Sequence, residues 1–171
     1  MQDTITNEFI RESIRHFDEN TDKIDACLNE LNDADIWRRP NKSSNSIGNL
    51  ILHLCGNITQ YVISSLGETE DVRNRREEFE LKEGYSKHEL MEKLKNVVQR
   101  AKAELLRLSN ESLNKKRSVQ GFNMTGTAIV LHVVEHYSYH TGQVVSLTKL
   151  MKDIDLGFYS KVDLNKKNRH E

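Results

Sequence analysis

Apolar residues recur about every three to five positions in four separate stretches of the chain, with polar residues between them. This spacing puts the apolar side chains of each stretch on one face of an α-helix. The predicted helices run from about Asp3 to Leu31, from Ser46 to Gly67, from Ser86 to Leu108 and from about Thr125 to Met151. Amphipathic helices bury their apolar faces by sharing a core, so the pattern predicts an all-α fold.

Two serines mark predicted helix starts. Ser46 precedes the second apolar stretch, and serine is a favoured N-cap residue. Ser86 is followed three residues later by Glu89, which is the pattern of a capping box. The second and third helices therefore have defined beginnings.

The three links between the predicted helices differ in length. The first, at 35–40, is a short turn region closed by Pro40. The second, at 67–84, is long and charged, and could cross over the other helices. The third, at 109–124, is also long and contains Gly121. We expect both long links to be loops.

The composition fits one helical domain. A chain of 171 residues with one proline and eight glycines is long enough for a core and poor in residues that break helices. We assign residues 1–160 to a single domain and 161–171 to a polar C-terminal tail. Cys27 and Cys55 lie in apolar helical patterns, which is typical of small buried side chains.

Charge and hydropathy exclude several partners. The 25 basic and 26 acidic residues nearly cancel, which disfavours a nucleic-acid partner. The N-terminus has no basic region followed by an apolar run, so no secretory signal is visible. No apolar stretch approaches the ~20 residues that span a bilayer. We therefore expect a cytoplasmic protein without a membrane partner.

The fourth predicted helix carries His132, His136 and His140 at steps of four residues, and histidine is the commonest metal ligand. At about 100° per residue, His136 and His140 fall within or beside the apolar arc of this helix. His132 falls at the border of that arc. His136 and His140 are therefore the inward pair.

A third histidine lies on the second predicted helix. His53 flanks the apolar face of that helix and could meet the inward pair across the packed helices. Three histidine nitrogens leave coordination positions open for water or substrate, as catalytic zinc sites do. The alternative is that each histidine is a core residue that hydrogen-bonds a neighbour, which is the commoner role of a lone buried imidazole. The spacing leaves both interpretations open.

A short peptidase pattern overlaps the same segment. His132 to His136, with Glu135 between them, fits the H-x-x-E-H pattern of one class of metallopeptidases. The chain is small for that class, and the helical angles place Glu135 away from the core. We therefore reject this interpretation.

The sequence resembles the DinB-like family of four-helix-bundle proteins, which includes YfiT-type metal hydrolases and bacillithiol S-transferases. The resemblance rests mainly on NSIGNLILHLCGN at 45–57 and HYSYHTGQ at 136–143. The segments RNRREEF at 73–79 and DLGFY at 155–159 look like one branch of that family. Order and separation agree from about residue 5 to 160.

This resemblance implies an up-down-down-up four-helix bundle that is frequently a homodimer. It also implies a divalent metal ion, such as zinc, nickel or iron, held by one histidine of the second helix and two of the fourth. Matched onto this sequence, the ligands are His53, His136 and His140, whereas His132 has no ligand role. Nothing in the resemblance implies DNA binding.

The first functional hypothesis is metal-dependent thiol transfer. An ion with three neutral ligands keeps its charge and lowers the pKa of a bound water or thiol. Among the proteins that the sequence resembles, a low-molecular-weight thiol attacks a small electrophilic substrate, so such a thiol is the expected co-substrate. The alternatives are a metal-dependent hydrolase and a non-catalytic metal- or ligand-binding stress protein.

Four further residues are candidates for supporting roles. Gln143, one turn beyond His140, could orient a bound water or a ligand histidine, and Asn57 could hydrogen-bond across the helix pair. Arg75 and Arg76 could bind an anionic substrate over the mouth of the site, but a solvated loop or a dimer contact is the favoured interpretation.

Overall fold

The computed structural model describes residues 4–168. Its helices are α1 (Thr4–Glu30), α2 (Asp33–Trp37), α3 (Ile47–Ile58), α4 (Arg75–Glu80), α5 (Lys87–Leu105), α6 (Asn110–Asn114) and α7 (Gly126–Lys152). A π-helix, Thr59–Leu66, continues α3 directly, and two short strands, β1 (Lys116–Val119) and β2 (Phe122–Thr125), precede α7. The predicted helix start at Asp3 and the last three residues of the predicted tail lie outside the described residues.

The four predicted helices correspond to α1, α3 with its π-helical continuation, α5 and α7. Helix α1 packs against α5 and α7, and α3 packs against the same two helices, so that the four enclose one core. The largest fully buried side chains come from all of these helices and include Phe17, Ile51, Leu94 and Tyr137. The amphipathic pattern therefore predicted the mainly helical fold correctly.

The expected helix starts are present. The Ser46 side chain accepts a hydrogen bond from the backbone N–H of Asn49, and the Ser86 side chain accepts one from that of Glu89. Both are capping boxes, because the side chain at the third position bonds back to the backbone of the serine. Capping satisfies amide groups that no carbonyl inside the helix can reach.

The prediction of an all-α chain with a loop at 109–124 was wrong in this segment. It folds as α6 followed by an antiparallel hairpin, in which Lys116 pairs with Thr125 and Val119 with Phe122. Gln120 and Gly121 form the two-residue turn, and both have positive φ angles, as a tight hairpin turn of the primed type requires. Gln-Gly is a weaker turn signal than Asn-Gly, which is why the sequence did not reveal it.

The two other links also contain short helices. The predicted turn at 35–40 begins within α2, and the long charged link contains α4. Asn49, fully buried near the start of α3, fixes α4 in place: its Nδ2 donates to the carbonyl oxygens of Glu78 at 3.0 Å and Leu81 at 2.8 Å. Its Oδ1 accepts a hydrogen bond from Nη2 of Arg39 at 2.9 Å.

We expect Asn49→Ala to lower the free energy of unfolding by about 2–3 kcal/mol, because the substitution leaves buried carbonyl groups without a donor. Urea unfolding followed by circular dichroism measures this change. Asn114→Ala is the matched control, since Asn114 is exposed and bonds only within α6. Equal losses in the two variants would contradict the structural role of Asn49.

Candidate metal centre

The structure brings together the three histidines that the sequence singled out. His53 on α3 faces His136 and His140 on α7, and one ring nitrogen from each lies within 4.8 Å of the other two. Nε2 of His53 and Nε2 of His136 are 2.9 Å apart. His53 and His140 are buried and His136 is half-buried, so the cluster lies at the edge of the core.

Two neighbouring side chains fix which nitrogen of each ring faces the cluster. Nδ1 of His53 lies 2.9 Å from Oε2 of Glu78, and Nδ1 of His140 lies 2.7 Å from Oε1 of Gln143. Both acceptors are oxygens, so each Nδ1 carries the proton that is donated. The lone pair of each neutral ring is then on Nε2, the nitrogen available for a metal ion.

Glu78 is in turn held by an arginine. Arg73 donates from Nε to Oε1 of Glu78 at 2.7 Å and from Nη2 to Oε2 at 2.8 Å, which is a bidentate ion pair. Nη1 of Arg73 donates to Oε1 of Gln60 in the π-helix at 2.8 Å. The side chains of Arg73 and Glu78 are 3% and 9% exposed, so water screens this pair little.

The charge of Glu78 follows from these contacts. Burial by itself would raise the pKa of this carboxyl, but hydrogen bonds from Arg73 and His53 outweigh burial and lower its pKa. Glu78 is therefore a carboxylate at neutral pH, and it accepts a hydrogen bond from Nδ1–H of His53. Carboxylate–histidine pairs of this kind orient metal-binding histidines and increase their basicity.

A glycine gives Glu78 room beside α3. An added Cβ at Gly56 would overlap Oε1 of Glu78 and would lie 2.9 Å from Nε of Arg73. The carboxylate therefore lies directly against the helix backbone, one turn beyond His53. No larger residue at position 56 would permit this arrangement.

The other two histidines of the cluster are held in the neutral form. Burial lowers the pKa of His136 to about 3, and the neighbouring His140 and His53 contribute to this shift. Burial also lowers the pKa of His140, although the hydrogen bond to Gln143 opposes this shift. Neutral imidazoles have the free lone pair that a metal ion needs, so the chemistry of the three donors fits a divalent cation.

His132 lies beside the cluster but is separate from it. Its ring packs on Tyr61 at 4.5 Å and stacks on His136 at 5.4 Å between ring centres. Glu135 is exposed and lies outside the histidine cluster, so the H-x-x-E-H pattern does not form a peptidase site here. The hydroxyl of Tyr61 donates to Oε1 of Gln120 at the hairpin turn, which joins the π-helix to the hairpin.

The other residues singled out from the sequence have different surroundings. Asn57 is 3% exposed, and its Oδ1 has no hydrogen-bond partner within residues 4–168. The guanidinium of Arg75 lies over the ring of Phe79 at 4.8 Å, and Phe79 packs on His53. Arg76 pairs with Glu80 in an exposed salt bridge. Neither arginine lies over the histidines as a free cation.

Sequence reasoning missed Arg73 and Glu78 as parts of the site. Both lie in a run of charged residues that resembles a solvated loop, and periodicity cannot identify the one carboxylate that is buried. The only available signal was the segment 73–79, which supported the family resemblance without any assigned role.

Comparison with known proteins identifies the family of this chain. A family model described as a protein of unknown function, DUF1572, matches residues 4–162. The chain belongs to this family. DUF1572 is a DinB-like family, so the resemblance inferred from the sequence is confirmed. A comparison with curated proteins finds no match.

Solved structures share the fold at low identity. A conserved protein from Enterococcus faecalis has a TM-score of 0.70 and 17% identity, over 82% of this chain and 95% of that chain. DinB-like proteins from Bacillus subtilis and Bacillus cereus both have TM-scores of 0.65, at 17% and 14% identity. The alignments cover 86% of this chain and 97% of the former, and 81% of this chain and 90% of the latter.

Within residues 4–168, none of the helices of this DUF1572 member combines the length and the apolar character that crossing a bilayer requires.

We expect Glu78→Gln to weaken zinc binding by about 10- to 100-fold. The glutamine amide is uncharged, so it accepts a weaker hydrogen bond from Nδ1–H of His53 than the carboxylate does. Zinc titration against a competing chelator measures the affinity. Glu77→Gln is the matched control, since Glu77 is the exposed neighbour in α4. An unchanged affinity in Glu78→Gln would show that the carboxylate does not support the histidines.

Acid should destabilise the metal-free protein partly through His136. Folding lowers the pKa of this side chain from its ordinary value of 6.5 to about 3, so at intermediate pH the unfolded chain binds the proton and the folded chain does not. Stability therefore falls as the pH drops from about 6.5 towards 3.

Urea unfolding at several pH values tests this dependence. His136→Gln should make the fall in stability shallower, whereas His88→Gln, at an exposed position on α5, should leave it unchanged. Parallel curves for the parent protein and His136→Gln would contradict the prediction.

Proposed function

We propose that the protein is a divalent-metal-dependent enzyme that transfers a low-molecular-weight thiol to a small electrophilic substrate. The observation that supports the proposal is the convergence of His53, His136 and His140, with one ring nitrogen of each within 4.8 Å of the others. Glu78 and Gln143 hold two of these rings with the Nε2 lone pair available. Two histidine rings held in this way are better suited to binding a metal ion than to packing in a core.

The three histidines would hold a zinc, nickel or iron ion and would leave coordination positions open. When bound, the ion supplies a positive charge that stabilises a thiolate or a hydroxide at neutral pH. The half-buried His136 lies on the side of the cluster nearest solvent, which gives small molecules a way in.

Each supporting residue has a proposed task. Glu78 accepts a hydrogen bond from Nδ1–H of His53 and keeps that ring in one orientation, and Gln143 does the same for His140. Asn57 lies one turn beyond His53 and carries a buried oxygen without a partner in the described part of the chain. We assign this oxygen to accepting a hydrogen bond from a ligand in the groove between α3 and α7.

The thiol of the proposed reaction must come from a co-substrate. Cys27 and Cys55 are both buried, and burial raises the pKa of both thiols, that of Cys55 to about 12. Neither side chain supplies a thiolate at neutral pH. A diffusible thiol is therefore the nucleophile that fits this chain.

The proposal includes three features of the assembled protein. We infer that the four long helices run up-down-down-up, that two copies form a homodimer, and that the protein acts in the cytoplasm on a small molecule. The nearly balanced charge of the chain supports a small-molecule substrate over nucleic acid. Sedimentation at micromolar concentration tests the homodimer, and a monomer alone would contradict it.

Metal analysis of untagged protein tests the proposed centre. We expect about one ion per chain in the parent protein and near-complete loss in His53→Ala, His136→Ala and His140→Ala, because each removes one of three ligands. His132→Ala should retain the metal, since His132 packs on Tyr61 outside the cluster. Equal metal in all four variants would exclude the site.

Activity is tested separately with the metal-loaded protein. Conjugation of a thiol such as cysteine to a chromogenic electrophile should proceed above the uncatalysed rate and should be lost in His136→Ala. Retained metal with no conjugation would contradict thiol transfer. Ester hydrolysis by the same preparation would instead favour the hydrolase alternative.

A further inference from the structure

A second cavity lies behind the metal centre, on the face of α3 that points away from α7. It has a volume of about 350 Å³ and lies among α3, α4 and α5. Volumes of this size accommodate small organic ligands. The cavity contains none of the clustered histidines, and the ion pair of Arg73 and Glu78 lies between the cavity and His53.

About half of the wall of this cavity is apolar. The apolar side chains that line it are Leu52, Cys55, Val72, Leu81, Tyr85 and Val97. Burial raises the pKa of the Cys55 thiol to about 12, so this side chain is neutral and acts as part of the apolar wall. Val72 is 75% exposed although it is apolar, which leaves apolar surface at the mouth of the cavity.

Two cations flank the same cavity. Lys93 and Arg100 lie seven residues apart on α5, which places both on one face of the helix about 10 Å apart along its axis. Within residues 4–168, neither side chain has a carboxylate partner at ion-pair distance. By contrast, Lys95 and Lys102 on α5 pair with aspartates of α1. Lys93 and Arg100 therefore offer charge that no carboxylate of the described protein compensates.

The acidic residues of the cavity do not cancel this charge. Glu78 is neutralised by its bidentate pair with Arg73, and both of these side chains are buried. Glu77 is exposed on α4 and pairs with no cation in the described part of the chain. The cavity therefore has one carboxylate, Glu77, and two cations, Lys93 and Arg100, without an ion-pair partner in the described part of the chain. Its net charge is positive.

We propose that this cavity binds a small organic anion with an apolar body. The anionic head contacts Lys93 and Arg100, and the apolar body covers the wall that includes Leu81 and Val97. A carboxylate and a phosphate monoester share this chemistry. The bound ligand would lie against the ion pair of Arg73 and Glu78, which separates it from His53.

Four probes with one apolar chain separate the contributions to binding: hexanoate, hexyl phosphate, hexanol and hexylamine. Isothermal titration of the full-length protein, as purified, should show saturable binding of at least one of the two anions. Hexanol should bind about tenfold more weakly, and hexylamine should not bind. Equal binding of hexanol, or no saturable binding of either anion, would overturn the proposal.

Variants locate the site. Lys93→Met and Arg100→Met should each weaken binding of the anion about fivefold, and the double variant should weaken it at least about tenfold, to the level of hexanol. Lys95→Met is the matched control, because Lys95 lies on the same helix and pairs with Asp25 on α1. The thermal midpoint of each variant shows whether it is folded. Unchanged binding in the folded double variant would overturn the proposal.

Discussion

The buried ion pair of Arg73 and Glu78 is the interaction on which the candidate centre depends. A carboxylate removed from water is costly unless a cation and hydrogen bonds compensate it, and Arg73 provides both. Because the pair is complete, Glu78 remains charged inside the protein and holds the ring of His53. Without the guanidinium, the carboxylate would take up a proton or turn towards solvent, and His53 would lose its fixed orientation.

The surrounding structure serves to keep this pair in place. Asn49 holds the backbone of Glu78 and Leu81, and Gln60 holds the outer nitrogen of Arg73. Gln60 belongs to the π-helix, a wider form that is rare and often found at functional sites. The turn of the hairpin reaches the same helix through Tyr61. Elements distant in sequence thus contact α3 and its π-helical continuation.

Much of the fold could be predicted from the sequence, because burial of an apolar face leaves a regular pattern. The three histidines could also be found, since His136 and His140 fall on the inward arc of α7 and His53 flanks that of α3. The resemblance to DinB-like proteins completed the set. Spacing alone left a hydrogen-bonded core as an alternative.

What could not be predicted depends on contacts between distant segments. Glu78 is one of several acidic residues in a charged run, and its contacts with His53, Arg73 and Gly56 distinguish it only in the folded protein. The hairpin depends on positive φ angles at Gln120 and Gly121, for which the local sequence is a weak signal. The buried position of Glu78 depends on tertiary packing, which the pattern of a single segment does not contain.

The histidines of the candidate metal centre and the carboxylate that orients one of them lie in different parts of the fold. The clustered histidines belong to helices of the core, where most substitutions also affect folding. Their orienting carboxylate belongs to a short helix in the link between α3 and α5, where the chain is otherwise largely exposed. Changes in this link can therefore adjust the candidate metal centre during evolution while the helices that carry the histidines stay the same.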